Sequence, residues 1–213
     1  MENNKINPHG TVVYVSTEGV RGITGMAPKA TVPEDPEGLS KVMLGTFIPP
    51  KGKKKWDFVE QYNQVKMMGT LWISSFARKN PNLKVFSVSP GMTSGTKFVE
   101  TTKDSQLQCM PNIVKCVGCC GVSHGIDIGS DRYTRLANHP EQFVSGVFYA
   151  SAGGGASGPM SDQTPKHSYL SNQGMQDVVY QTIDTAFTKA KGVQGGQPLP
   201  EQATMSPVVQ VSN

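Results

Sequence analysis

The length and composition of this chain describe an ordinary globular domain. It has 213 residues, of which 37% are hydrophobic and 17% charged, enough for one domain with its own core. The net charge of +4 is too small to predict a nucleic-acid partner. No uninterrupted run of about 18 apolar residues is present, and the first residues are polar, so neither a membrane span nor a secretory signal is expected.

Cysteine usage indicates a reducing, intracellular setting, with the cytoplasm as the expected location and an organelle as the alternative. The four cysteines fall within one short stretch, unlike the dispersed pattern of a secreted disulfide framework. They are Cys109, Cys116, Cys119 and Cys120, with His124 nearby. Structural zinc sites usually bring together two separated ligand pairs, so we predict no metal and interpret these cysteines as buried small residues or oxidisable thiols.

The first half of the chain has the pattern of a parallel crossover unit. Residues 11–16 (TVVYVS) are rich in β-branched side chains and predict a buried strand. Residues 19–55 predict a long excursion with a short helix near residues 39–44 and a run of lysines. An amphipathic repeat predicts a helix over residues 56–78, and residues 84–89 (KVFSVS) predict a second strand.

The second half continues the alternation of helix and strand. A short helix is expected over residues 127–137, a strand over residues 143–150 and a final helix over residues 174–191. The tail, residues 191–213, is rich in Gly, Pro and Gln and is expected to be disordered. We therefore predict one α/β domain over residues 8–190.

A glycine-rich stretch at residues 153–158 (GGGASG) satisfies the G-x-G-x-x-G spacing of a nucleotide-binding loop. Such a loop opens a helix whose N-terminus binds the pyrophosphate, whereas here Pro159 and a polar run follow. A flexible loop after the last strand is therefore the favoured interpretation.

The residues with the clearest chemistry are Tyr62 and Lys66, four positions apart on the predicted long helix. This spacing places the phenol and the ammonium on one helix face. A phenol normally titrates near pH ~10, and a nearby cation lowers that pKa. A tyrosine tuned in this way can exchange a proton with a carbonyl or alcohol oxygen at neutral pH. Because such pairs also occur by chance, their sequence context decides the interpretation.

The context resembles the short-chain dehydrogenase/reductase family. Residues 12–17 (VVYVST) resemble the family strand that ends in the catalytic Ser, and the helix from residue 62 to residue 79 resembles its Tyr-x-x-x-Lys helix. Residues 85–96 (VFSVSPGMTSGT) resemble its strand ending in Pro-Gly. The resemblance covers roughly residues 10–190 and extends into the later part of the chain.

That later part is similar to retinol-dehydrogenase-like and protochlorophyllide-reductase-like members. The similar stretches are residues 129–133 (GSDRY), 143–151 (FVSGVFYAS) and 158–163 (GPMSDQ). This similarity implies a bulky apolar carbonyl or alcohol substrate, such as a retinoid, a steroid or a chlorophyll precursor.

The resemblance also implies roles for particular residues. Tyr62 would be the general acid/base, and Lys66 would lower its pKa and hold the ribose of NADP or NAD. Ser16 or Thr17 would hydrogen-bond the substrate carbonyl; the family's paired hydroxyl positions favour Thr17, and the chemical match favours Ser16.

The turn after the second strand is implicated in cofactor binding by the same resemblance. Pro90 and Gly91 would shape the turn beside the nicotinamide, with Thr93 as a further cofactor contact. The family often has a Thr four residues after this Gly, whereas this chain has Gly95 there.

The chain departs from the family in two further respects. The segment between Thr17 and Tyr62 is much longer than usual. Only eleven residues precede Val12, and a βαβ unit needs about 30 or more, so neither the glycine-rich fingerprint nor the family's catalytic Asn has a place. We therefore expect a partial Rossmann-like, doubly wound parallel sheet that lacks the amino-terminal nucleotide-binding half.

Two functions follow as hypotheses. The first is the catalytic half of an NAD(P)-dependent oxidoreductase that interconverts a carbonyl and an alcohol, or reduces a related double bond, with Tyr62 as the acid/base. The second is a truncated, non-catalytic remnant that acts as an interaction or dimerisation module. The family commonly forms homodimers through the Tyr–Lys helix and its neighbour, so a homodimer is also expected.

Overall fold

The computed structural model describes residue 7 and residues 9–47, 58–96, 122–193 and 209–210. The strands in these residues are β1 (Thr11–Val15), β2 (Lys84–Val88), β3 (Phe148–Ser151), β4 (Met160–Asp162) and β5 (Val209–Gln210). The α-helices are α1 (Pro36–Met43), α2 (Phe58–Lys79), α3 (Ile126–Asn138), α4 (Ser168–Ser171) and α5 (Gln173–Val193).

The centre of the sheet is parallel. Strand β1 pairs with β2 in a register that places Val13 opposite Phe86, and β2 pairs with β3 with Val88 opposite Tyr149. Helix α2 makes the crossover from β1 to β2, as the order strand, helix, strand predicts. The prediction of an α/β fold is therefore confirmed.

Both edges of the sheet are antiparallel, so the sheet is mixed, in contrast to the partial doubly wound parallel sheet that the sequence predicted. The strand order is β4-β3-β2-β1-β5, with β4 antiparallel to β3 and β5 antiparallel to β1. Strand β4 follows β3 after a short glycine-rich turn, and so short a connection can only produce an antiparallel neighbour. The fold is an α/β arrangement around an open, mixed sheet.

Helices cover both faces of the sheet. On one face α2 and α5 pack over the strands, with buried residues that include Leu71, Phe148 and Val179. On the other face α3 packs through Leu136 against Val13 of β1, together with apolar residues of β2 and β3. This layering places the ends of β1, β2 and β3 between α2 and α3.

The excursion after β1 is more ordered than its sequence suggests. It contains α1, which begins at Pro36 after the N-cap Asp35, whose carboxylate accepts from the Gly38 amide at 2.8 Å. His167 holds the middle of the excursion in place. Its Nε2 donates to the Ala30 carbonyl at 2.8 Å, and its Nδ1 accepts from the Tyr169 amide at 3.1 Å. The described part of the excursion is therefore packed onto the domain.

Strand β3 begins later than predicted. The sequence indicated a strand from residue 143, but residues 143–147 form a turn in which Gly146 has φ +85° and donates to the Val85 carbonyl at 2.7 Å. A positive φ is incompatible with a strand, so the apolar run begins as a turn and becomes extended only at Phe148. The short elements β4 and α4 were not predicted.

Several predictions fall wholly or partly outside the described residues. The cysteine cluster, the lysine run and most of residues 191–213 lie there. Within that tail, α5 continues to Val193 and β5 pairs with β1, which differs from the prediction of disorder at those positions. Among the described residues, no helix has the length and apolarity to cross a membrane, and no group of three or more metal-ligating side chains is present.

Candidate active site

The residues that the sequence singled out converge at the carboxyl ends of β1 and β2. Ser16 and Thr17 directly follow β1, and Pro90 and Gly91 lie just beyond the end of β2. From α2, Lys66 reaches the end of β1 through its side chain. The carboxyl ends of parallel strands are where open α/β sheets bind ligands, so this corner is the candidate active site.

Ser16 is engaged in a hydrogen-bond chain with α2. Its hydroxyl lies 2.7 Å from the Thr70 hydroxyl, which donates to the Lys66 carbonyl at 2.8 Å. Since the single hydroxyl proton of Thr70 is used in that bond, Ser16 must be the donor to Thr70. Ser16 is 2% exposed, and its proton is therefore not directed at a substrate.

Thr17 is the hydroxyl that hydrogen-bonds the side chain of Tyr62. Its Oγ1 also accepts from the Gly19 amide at 3.4 Å, at the start of the 3-10 turn Glu18–Val20. Of the two hydroxyls that the sequence left open, the structure brings Thr17 to the phenol and ties Ser16 to the helix.

Lys66 lies in the same corner, with its ammonium close to the strand end. Its Nζ donates to the Val15 carbonyl at 2.9 Å, and it lies 5.4 Å from the ring centroid of Tyr14 and 5.8 Å from that of Tyr62. Burial lowers the pKa of Lys66 because it disfavours the charged form.

The pKa of Tyr62 moves upward, opposite to the direction expected from a neighbouring cation. Burial raises this pKa because it disfavours the phenolate, and the hydrogen bond with Thr17 offsets only part of the increase. The expectation that Lys66 brings the pKa of Tyr62 below its usual value is therefore not met in the chain itself. The phenol is protonated at neutral pH.

The turn after β2 is held by a histidine that the sequence analysis connected only with the cysteines. The Nε2 of His124 lies 2.6 Å from the Pro90 carbonyl, which can only accept, so Nε2 is the donor. Gly91 has φ +77°, and a side chain there would overlap the His124 ring. The Gly91 amide donates to the Ser89 hydroxyl at 3.1 Å, which completes a tight Pro-Gly turn.

Thr93 closes this turn. Its hydroxyl donates to the Pro90 carbonyl at 3.2 Å, and a Cβ at Gly129 of α3 would overlap that hydroxyl. Thr93 thus lies between the turn and α3, and Gly129 of the GSDRY stretch permits this close approach.

Next to the site lies a buried ionic network that the sequence analysis missed, which we call the Glu18 clamp (Glu18, Arg21, Arg132 and Ser151). The Glu18 carboxylate accepts from the Ser151 amide at 3.0 Å and from its hydroxyl at 2.8 Å. It is paired with Arg21 and, at 3.3 Å, with Arg132. Glu18, Arg21 and Arg132 are each 3% exposed.

The two arginines of the clamp connect the ends of all three parallel strands. Arg132 donates to the Ser89 carbonyl after β2 at 2.8 Å and to the Ser151 hydroxyl at the end of β3 at 2.9 Å. Glu18, which follows β1, completes the connection. The clamp therefore fixes the position of the segment that carries Thr17 relative to the Pro-Gly turn.

The clamp also orders the glycine-rich loop at residues 153–158. Arg21 donates to the carbonyls of Gly154 and Gly155 at 3.0 and 2.7 Å, and Arg132 donates to the Gly158 carbonyl at 2.8 Å. Carbonyls directed at buried guanidinium groups do not form a phosphate cradle, which requires N–H donors. The loop is thus held by the clamp, in contrast to the flexible loop that we expected.

The sequence contained one signal for the clamp. Glu18 and Arg21 are three positions apart directly after a predicted strand end, a spacing that allows an ion pair. Their contacts with Arg132 and Ser151 join residues 114 and 133 positions apart, which no local pattern indicates.

Comparisons with known proteins do not assign the chain to a family. No protein-family model matches it, and no curated protein matches it.

Proposed function

We propose that this chain is the catalytic part of an NAD(P)-dependent oxidoreductase of the short-chain dehydrogenase/reductase type, acting on an apolar carbonyl or alcohol. The observation that carries the proposal is the hydrogen bond between Thr17 and Tyr62, beside the Lys66 ammonium at the carboxyl ends of parallel strands. The resemblance of the sequence motifs supports the same reaction class.

In the proposed reaction, Tyr62 exchanges the proton. Its hydroxyl donates to the substrate carbonyl oxygen while Thr17 hydrogen-bonds that oxygen and stabilises its developing negative charge. The raised pKa of Tyr62 keeps the phenol protonated at neutral pH, which suits proton donation.

The described residues fit the nicotinamide end of the cofactor. NADPH or NADH would supply the hydride. The Lys66 ammonium uses one of its three donors on Val15 and has others for the ribose hydroxyls. Pro90 and Gly91 would form a wall beside the nicotinamide. The Thr93 hydroxyl donates to the Pro90 carbonyl within the turn, so Thr93 would shape the cofactor site without donating a hydrogen bond to the cofactor.

The pyrophosphate end has no comparable support in the described part of the chain. Its only G-x-G-x-x-G stretch, at residues 153–158, has carbonyls bound by Arg21 and Arg132. We therefore expect cofactor affinity to be weaker than for a complete nucleotide-binding fold.

The test is a fluorescence titration of the purified chain with NADPH and with NADH, followed by turnover of apolar aldehydes and ketones. Tyr62→Phe is expected to retain binding and to lose turnover by about 10²–10⁴-fold, because only the proton donor is removed. Tyr180→Phe on α5 is the matched control and should behave as the unmodified chain. Equal turnover for both variants would refute the assignment of Tyr62.

A second candidate function follows from the absence of a pyrophosphate cradle in the described residues. The chain would then be a non-catalytic interaction or dimerisation module. Helix α2 is covered on one side by α5, while Val65 on another side is 46% exposed and could contribute to a homodimer. No cofactor binding up to about millimolar concentration, together with dimers in sedimentation experiments, would favour this function.

A further inference from the structure

We infer that Tyr14 is a positioning residue for Lys66: its ring confines the Lys66 ammonium at the Val15 carbonyl, facing Tyr62. The inference deepens the proposed function and rests on it for the chemical role of Lys66. Tyr14 was not among the candidate site residues from the sequence, because it lies within β1 and has the pattern of a core position.

The geometry surrounds the ammonium on three sides. Lys66 Nζ lies 2.9 Å from the Val15 carbonyl oxygen, 5.4 Å from the centroid of the Tyr14 ring and 5.8 Å from that of the Tyr62 ring. Both ring distances fall within the roughly 6 Å range of cation–π attraction. The carbonyl and the two ring faces together replace part of the hydration that Lys66 loses on burial.

Tyr14 is well placed to act as a fixed wall. Its side chain is on the α2 face of the sheet, packed with a cluster that includes Ile73 and Phe76. A ring held by such packing has little rotational freedom. The lysine stem is flexible, so its head group takes the position that its surroundings define.

Gly69 provides the space that this wall needs. It lies three residues after Lys66 on α2, and a Cβ there would overlap both the hydroxyl and the ring of Tyr14. Glycine is less favourable than alanine in a helix interior, and here the space that it leaves is occupied by the Tyr14 side chain. The close approach of β1 and α2 at Gly69 brings the Tyr14 ring alongside Lys66.

The direct test is NMR of the Lys66 ε-methylene group, assigned by its disappearance in Lys66→Met. The Tyr14 ring current should shift these signals, so Tyr14→Leu is expected to move them toward random-coil values. Tyr14→Phe, which keeps the ring, should leave them near their original positions. Folding of each variant is checked by circular dichroism and thermal unfolding, and Tyr14→Met replaces Tyr14→Leu if the latter does not fold.

Unchanged Lys66 signals in a folded Tyr14→Leu or Tyr14→Met variant would overturn the inference, whatever the activity of the chain. The activity arm separates this inference from the proposed function. Loss of the wall is expected to lower kcat by about 10- to 100-fold with little change in KM, and Tyr14→Phe should restore it. If the NMR signals move but Lys66→Met does not affect turnover, the positioning stands and the proposed role of Lys66 fails.

Discussion

Two adjoining regions of this molecule handle buried charge in different ways. In the Glu18 clamp, one carboxylate is shared by two guanidinium groups and a serine, and all the charged side chains are almost fully buried. In the Tyr–Lys corner (Thr17, Tyr62 and Lys66), the ammonium donates to the Val15 carbonyl and has two aromatic neighbours. The carboxylate and guanidinium groups of the clamp bond to protein atoms, although the buried Nε of Arg21 has no partner among the described residues, whereas the Lys66 ammonium keeps donors for a ligand.

Because of this difference, we expect two adjacent residues to have different roles. Thr17 belongs to the corner and Glu18 to the clamp, so a single peptide unit joins the two regions. A rigid ionic frame restrains the backbone that carries the Thr17 hydroxyl. Substitutions in the clamp should therefore act mainly on stability, and those in the corner mainly on chemistry.

The largest expected effect is from breaking the clamp. Glu18→Gln removes the carboxylate charge and leaves two buried guanidinium groups without their counter-ion, which should destabilise the fold by about 3–5 kcal/mol. Urea unfolding at neutral pH, followed by circular dichroism, measures the loss.

Glu37→Gln is the matched control for this experiment. Glu37 pairs with Lys41 at 2.7 Å on the surface of α1, where its side chain is 80% exposed. An exposed pair contributes little, so the unfolding free energy should hardly change. Similar losses for both variants would show that the clamp is no more important than a surface ion pair.

The next effect concerns the packing of the Tyr–Lys corner. Gly69→Ala introduces a methyl group into the space of the Tyr14 ring and should destabilise the chain by about 1–3 kcal/mol through overpacking. Gly192→Ala in α5, where no atom lies within 4 Å of the added Cβ, should be neutral or slightly stabilising. A neutral Gly69→Ala, measured by the same unfolding assay, would contradict the close contact between β1 and α2.

A smaller effect depends on pH and concerns His167. This residue contributes to stability outside both the Glu18 clamp and the Tyr–Lys corner, so it serves as a reference for the comparison. Burial lowers the pKa of His167 below its usual 6.5, and nearby Lys29 acts in the same direction. As the pH falls below about 6.5, the unfolded chain binds a proton that folded His167 resists, so stability declines by at most about 1.4 kcal/mol per pH unit. Above that pH the contribution is fully present.

Urea unfolding of the unmodified chain and of His167→Gln between pH 5 and pH 8 measures this contribution. Burial, which disfavours the charged imidazolium, is the main physical reason for the loss, and protonation of Nδ1 would also remove the acceptor for the Tyr169 amide. The difference between the two proteins should shrink as the pH falls. A constant difference across this range would contradict a pKa shift at His167.

The smallest effect distinguishes the two hydroxyls after β1. Thr17→Val should raise the pKa of Tyr62 further, because the hydrogen bond that partly offsets burial is lost. Ser16→Ala should leave that pKa unchanged and cost about 1 kcal/mol of stability, because it removes the bond to Thr70. NMR titration of ring-labelled Tyr62 compares the two, and the reverse pattern would assign Ser16 to the phenol.

Local sequence patterns predicted much of the parallel core. The β-branched run of β1 and the apolar stripe of α2 are strong periodic signals, and the pair Tyr62 and Lys66 was recognisable from its spacing. The mixed sheet edges were not predicted, because β4 has only three residues and β5 two. Such short strands have no detectable periodicity and are defined by their partners.

The clamp shows why the surroundings of the candidate site were harder to predict than the pair Tyr62 and Lys66. Arg132 is on a helix with many polar residues, where an arginine is normally solvent-exposed. Its burial depends on Glu18 and on the carbonyls of Ser89 and Gly158, which only the tertiary structure brings together.

The long sequence separations within the clamp have a consequence for folding kinetics. Contacts between residues 114 and 133 positions apart require closure of large loops, so they are expected to form after the local helices and strand pairs. Interactions that form after the transition state slow unfolding and hardly change the folding rate. The Glu18 clamp should therefore lower the unfolding rate and so lengthen the lifetime of the native state.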